Sequence, residues 1–419
     1  MLLGEYSTAA LAATISVTGV FWAPMALVQQ TSAYVTTFVA QHLGAGQHSK
    51  IGASVWQALY VSVFGGLLFL LLIPVASEIF RWVGHSSDIQ NLEVGYFKAL
   101  AWSALPTALV AACSGFYTGL GRSHIIIAIN AIGMVGNLVF DYIFIFGHFG
   151  APEMGIVGAG YATAIGSYLA ALFGLYLIFY GGAAKRYHLS THWRLDYQLF
   201  SRFLKFGLPS GLQWALEGLA FTLFIVFIGH LPNGEVGLAA SSIAMTIMML
   251  AVLPNIGLGQ GVSALVGQHL GSNRPKEATE AVWAGLTISL FYTSIMGLSF
   301  LSFPDFYTSL FNSSEPGPLW LQVEELAPTL LLFVAGLVMF DAINFVMSFA
   351  LKGAGDTLFV SLVALLLPWP VMVFPAWYMS DRDDGIFWAW SAASCYIVLQ
   401  ALVFLGRFLG GRWKSMRVI

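Results

Sequence analysis

Three carboxylates stand inside long apolar stretches of this 419-residue chain: Asp141, Glu217 and Asp341. Each has amide or hydroxyl residues at helical spacing. Asn137 precedes Asp141 by four residues and Asn130 precedes it by eleven. Ser210 and Gln213 lie seven and four residues before Glu217, and Asn344 and Ser348 lie three and seven after Asp341. Such sets form polar stripes along one helix face, and in a lipid-bound helix an ionisable stripe faces a bundle interior or water. Two chemistries follow. A carboxyl removed from water can bind and release a proton. Carboxylate, amide and hydroxyl oxygens can together hold a hard cation such as Na+, which makes Glu217 and Asp341 candidate metal ligands. The plainer alternative is that each carboxyl hydrogen-bonds a neighbouring helix and only holds the bundle together.

The elements that carry these residues are membrane helices. Hydrophobic residues make up 58% of the chain and charged ones 9%, with a mean hydropathy of +0.79. Soluble chains carry roughly 25% charged residues, so a water-soluble fold of this size is excluded. The apolar runs, such as Ile156 to Tyr180 and Phe206 to Ile228, approach 20 residues; a β-barrel would show alternating segments about half as long. Apolar runs between turn signals give eleven spans: 10–40, 51–76, 95–119, 124–147, 156–181, 204–230, 238–266, 280–303, 325–351, 356–379 and 385–408. Pro24, Pro254, Pro368 and Pro370 are hinge candidates within them. Cys113 and Cys395 each lie in an apolar run and indicate no disulfide framework. Histidines 42, 124, 188, 192 and 269 fall in or near loops of one side, where solvated roles are expected.

Charge orients the spans. Fourteen of the 17 Lys and Arg, from Lys50 through Lys352 to Arg417, fall on one set of alternate loops and the C-terminal tail. Twelve acidic residues, among them Glu78, Glu93, Glu315 and Asp381 to Asp384, fall on the other. The positive-inside rule makes the first side and the C-terminus cytoplasmic. Eleven spans then leave Met1 outside with no helix before it, and no signal peptide precedes Gly4, Glu5 and Tyr6. The expectation is that a leading helix is missing.

An internal repeat leads to the same expectation. Val39-Ala-Gln-His-Leu-Gly44 recurs as Val266-Gly-Gln-His-Leu-Gly271, and Gly119-Leu-Gly-Arg-Ser123 matches Gly353-Ala-Gly-Asp-Thr357. The seven residues by which the second spacing exceeds the first fit the outer loop around Asn312 to Pro318. The fold expected is an all-α polytopic membrane protein of two six-helix bundles in parallel repeat, the first lacking its leading helix. The domains are 1–181, a basic cytoplasmic linker at 182–203, and 204–419. Duplicated bundles that rock about a site between them are a transporter signature.

In this order and spacing the motifs resemble the multidrug and toxic compound extrusion (MATE) family over essentially the whole chain. The segments that carry the resemblance are Val39 to Gly46, Gly119 to Ser123, Asn137 to Asp141, Gly155 to Thr163, Gly207-Leu-Pro209 leading to Glu217, Val266 to Gly271, and Phe340 to Asn344 leading to Gly353–Thr357. The resemblance implies efflux of cationic, amphipathic compounds in exchange for Na+ or H+. It implies no enzymatic activity and no cofactor beyond the coupling ion. It places the coupling ion at Glu217 and Asp341 in the second lobe, where helical spacing adds Gln213 and Asn344 as candidates, or at Asn137, Asp141 and Thr163 in the first. The first-helix Asp of the latter set has no counterpart in this chain. A monomer in the bacterial inner membrane is expected, with the lipid bilayer and small cationic compounds as partners and no nucleic acid. A flippase for a polyprenyl-linked saccharide would need several mid-span Lys or Arg for the pyrophosphate. An intramembrane prenyltransferase would need Asp-rich motifs at helix ends. The spans supply neither pattern.

Overall fold

The computed structural model describes residues 8–83, 85–191, 193–311, 318–382 and 384–419. All regular structure among them is helical. In lipid the backbone has no water to bond, so each span must close its own ladder. Hydroxyl side chains follow the same constraint by bonding back one turn: Thr31 Oγ1 donates to Leu27 O at 2.6 Å and Ser62 Oγ to Ala58 O at 2.9 Å.

The first eight helices are α1 (Thr8–Ala33), α2 (Val35–Gly44), α3 (His48–Leu70), α4 (Ala76–Val83), α5 (Ser87–Ala101), α6 (Ala104–Gly119), α7 (Ser123–Phe146) and α8 (Gly155–Tyr180). Nine more follow, the short Ala183–Arg186 and Pro304–Ser309, which carry no label, and α9 (Tyr197–Gly229), α10 (Gly234–Gly271), α11 (Pro275–Ser302), α12 (Pro318–Ala354), α13 (Thr357–Leu366), α14 (Phe374–Tyr378) and α15 (Gly385–Leu409). Among the described residues nine helical stretches are long and apolar enough to cross a membrane, or ten if α5 and α6, bent by 43°, form one. The remaining expected span, 10–40, is α1 continued by α2. Of the hinge candidates, Pro368 and Pro370 fall where the helix breaks into a π turn between α13 and α14, whereas Pro24 and Pro254 lie inside continuous helices. Residues 312–317, expected as an outer loop, lie outside the described residues, as do Met1–Ser7, Gly84, His192 and Asp383.

The sequence repeat is a repeated backbone turn. Gly46 and Asn273, 227 residues apart, both take positive φ just after α2 and α10. Gly121 and Gly355 do the same after α6 and α12. A left-handed residue past the last turn lets backbone N–H groups reach the orphan carbonyls at the helix end: Gly46 N donates to Leu43 O, and Asn273 N to Leu270 O. The motif therefore specifies a helix stop.

Contacts divide the chain into two compact units, residues up to Ala215 with Val418 and Ile419, and Leu216–Arg417. In the first, α7 and α8 meet along a seam of glycines. A Cβ on Gly166 would lie 2.7 Å from Gly133 O and 2.8 Å from Asn137 N, and one on Gly158 would lie 2.6 Å from Phe144 O. Small residues let the two backbones touch, as membrane helices require. In the second unit α12 packs against α10, α11 and α15, with Val334, Val338, Ala342 and Val346 fully buried along its length.

Three loop assignments are corrected. Glu93 is fully buried on α5, with the His85 ring nitrogen 2.7 Å from its carboxylate. Lys352, in the last turn of α12, is buried as well. His42 is buried at the end of α2, its ring 3.1 Å from Gln47 Oε1. In each case the polar end has a partner close by, and the apolar part of the side chain adds to the core. Replacing Gly166 with Val should force α7 and α8 apart. A loss of about 1–3 kcal/mol is expected from such overpacking, visible as a lower Tm of the purified protein.

Candidate functional site: two buried carboxylate centres

Four helices of the first unit set out one centre. The glycine seam brings α7 against α8, so that Asn137 Nδ2 donates to Thr163 Oγ1 at 3.3 Å. Thr163 in turn donates to Ala159 O at 3.0 Å, which fixes its rotamer. One turn further along α7, Asp141 is half-buried beside Asn137, and Tyr96 of α5 is close enough to feel its charge. One Asp141 oxygen, Oδ1, is buried without a hydrogen-bond partner among the described residues. On α6, Thr107 Oγ1 and Ser167 Oγ of α8 extend the polar path at 3.5 Å. Asn130, expected on the same stripe, is exposed.

The second unit holds the denser centre. Glu217 comes from α9, Asp341 and Asn344 from α12, and Tyr396 and Gln400 from α15. Gln400 links them: its Nε2 donates to Glu217 Oε1 at 2.7 Å, and its Oε1 accepts from Asn344 Nδ2 at 2.8 Å. Both ends of one amide are used, so the three side chains lock each other's orientation. Asp341 is 5% exposed, and its Oδ2 is buried with no hydrogen-bond partner among the described residues. It lies close enough to Glu217 for the two charges to act on each other directly. The buried Tyr396 hydroxyl makes no hydrogen bond among the described residues and lies near enough to both carboxylates to feel their charge. Gln213 is buried one turn before Glu217 on α9. Ser348, expected on the Asp341 stripe, turns its hydroxyl to Phe345 O at 3.1 Å.

The candidate ligand atoms of the second centre are the carboxylate oxygens of Glu217 and Asp341 with the Tyr396 phenol nearby, since Gln400 turns its amide nitrogen to Glu217 and its oxygen to Asn344. That set suits a hard monovalent cation or a proton, and not a metal that prefers nitrogen or sulfur. Two neighbouring negative charges out of water are costly, and a bound cation relieves the cost. Ionisable type inside an apolar run marks Glu217, Asp341 and Asp141, helical spacing marks Asn344, Asn137 and Gln213, and the family resemblance marks Thr163. None of these marks Gln400, which lies 183 residues from Glu217; the one available signal is a single amide inside the apolar run of α15. Tyr96 and Tyr396 are hidden among the other aromatics for the same reason.

A helical, multi-pass membrane protein with carboxylate centres buried in its bundles is the framework of a secondary transporter. Comparison with known proteins gives the family. The MatE family model matches residues 1–143 and 209–377. A probable multidrug resistance protein NorM of Rhizobium meliloti is 26% identical over 378 residues, 90% of this chain and 80% of the relative. One of the same description from Thermotoga maritima is 24% identical over 424 residues, 100% of this chain and 88% of the relative. In fold, the chain is similar to an outward-facing multidrug resistance MATE transporter of the MOP superfamily, with a TM-score of 0.89 and 20% identity over 99% of this chain and 91% of that one. A MATE crystallised in complex with MaL6 gives a TM-score of 0.88 at 20% identity and the same coverage. The chain belongs to the MatE family of membrane transporters.

Gln400→Leu removes two hydrogen bonds and leaves the half-buried ends of Glu217 and Asn344 one partner short. A destabilisation of about 1–3 kcal/mol is expected. Thermal unfolding in detergent would read it, and a Tm within a degree of the parent would show that Gln400 does not carry the network.

Proposed function

We propose that this chain is a secondary active multidrug efflux antiporter that exports cationic amphipathic compounds in exchange for Na+ or H+. The observation that carries the reading is the Glu217–Gln400–Asn344 chain with Asp341 beside it. The NorM descriptions of the relatives support drug-like substrates. The coupling ion enters the second centre and neutralises a carboxylate there. A centre that is charged in one state and neutral in the other gives a bundle two packings of comparable energy, and the ion gradient biases which is populated. Alternating access then follows from rocking of the two lobes, 1–181 and 204–419, joined by the 182–203 linker. Aromatic side chains supply apolar and cation–π contact for the lipophilic cation.

Asn137, Asp141 and Thr163 form the second candidate for ion binding. Their hydrogen bond is longer than the pair at Gln400, and Asp141 is less buried than Asp341. We assign the coupling role to Glu217 and Asp341, and a supporting role to the first centre. Gln213 and Asn344 position Glu217 and Asp341. We place the protein as a monomer in the bacterial inner membrane with its C-terminus in the cytoplasm.

Expression in a pump-deficient bacterial strain should lower accumulation of ethidium, and Asp341→Asn should restore accumulation to the vector level. Glu217→Gln should do the same, while Asp141→Asn should leave part of the efflux. Equal accumulation with and without the parent protein would sink the reading. In proteoliposomes, an imposed Na+ gradient and an imposed pH gradient applied separately should show that one of them drives ethidium movement.

A further inference from the structure

Lys352 stands where the charge pattern of the sequence puts a solvated cytoplasmic cation, yet its side chain is 3% exposed. Its position on α12 is informative. Asp341, Asn344, Ser348 and Lys352 follow one another at three or four residues along an unbroken helix, so all four share one face. Side chains on a helix lean toward its N-terminus. Lys352 does so: its Nζ lies 4.1 Å from the centroid of the Phe349 ring, three residues back. The ammonium is therefore directed along α12 from the helix end toward the carboxylate centre. The carboxylate of Glu217, on α9, is within electrostatic reach of it. The other cation near this helix end is differently engaged, since Arg407 holds Asp356 with two hydrogen bonds of 2.7 and 3.2 Å.

A buried ammonium is tolerated in a membrane bundle only when an opposite charge compensates it. We propose that Lys352 is a tethered counter-cation of the Glu217–Asp341 centre, competing with the coupling cation for the field of Glu217. The inference rests on the coupling role assigned to those two carboxylates. With both ionised, the two carboxylates and the ammonium sum to one negative charge, and a single monovalent cation brings the centre to neutrality. Lys352 weakens the binding of that cation, so that it is released on the side where it is dilute. Among the described residues, Tyr396 of α15 is a further titratable group that feels the charge of both carboxylates. Lys352 acts through Glu217 and is a positioning and affinity-setting residue, not a ligand.

The test uses the full chain purified in detergent, with 22Na+ binding at alkaline pH and proton uptake on acidification measured on the same samples. Lys352→Met should bind whichever of the two cations the parent binds about tenfold more tightly. Lys352→Arg, which keeps the charge, should stay within about twofold of the parent. Lys352→Gln replaces the Met variant if that protein does not fold. Unchanged or weaker cation binding by the neutral variants, with Glu217→Gln still impairing binding, overturns the proposal. So does tightening by the Arg variant equal to that of the neutral ones, because a packing change would then be the cause. If Glu217→Gln leaves cation binding intact, the coupling assignment itself fails and takes this inference with it, a result separate from the Lys352 arms.

Discussion

A carboxylate taken out of water needs something to offset its charge, and the described structure is organised around two places where that need arises. In the second unit Glu217 is held by Gln400, Gln400 by Asn344, and Asp341 is packed alongside with one oxygen that has no hydrogen bond among the described residues. The hydrogen bonds fix geometry but do not remove the negative charge. That shortfall is what the proposed coupling cation would supply. A fully satisfied, neutral network at the same place would make a stiffer bundle with no reason to bind an ion.

The helices meet the demand through close backbone approach. Where α7 and α8 touch at Gly133, Gly158 and Gly166, the contact leaves Asn137 facing Thr163. In the second unit α12 passes between α10, α11 and α15, which carries Asp341 and Asn344 to the face where α15 presents Tyr396 and Gln400. The repeated left-handed residues at Gly46 and Asn273, and at Gly121 and Gly355, end the helices at corresponding points of each repeat. The same packing explains why Glu93 and Lys352 lie buried although they sit near span ends: a long or partnered side chain at a helix end can turn inward as readily as outward.

Much of this is legible in the sequence, because the membrane imposes simple rules. Long apolar runs mean helices, and the spans expected from them coincide with described helices to within several residues. Ionisable groups inside those runs mean function, so Glu217, Asp341 and Asp141 stand out at once. Amide and hydroxyl neighbours at three- and four-residue spacing mark Asn344, Asn137 and Gln213. The polar motifs shared by the halves reveal the duplication, since a helix-stopping turn needs particular residues at fixed positions. What spacing cannot convey is any relation between different helices. Gln400 and Tyr396 join the centre from α15, and Tyr96 joins Asp141 from α5, across separations that carry no periodic signal.

The sequence by itself thus determined the class of fold, the spans, the repeat and the three carboxylates, because each follows from local hydropathy, charge or helical period. Only the tertiary structure decided which polar groups meet, that Gln400 bridges Glu217 to Asn344, that Asn130 is exposed, that the Ser348 hydroxyl bonds back to its own helix, and that Lys352 is buried. Those outcomes depend on how one helix rotates against another, and the rotation is set by packing many side chains at once, which no single stretch of chain encodes.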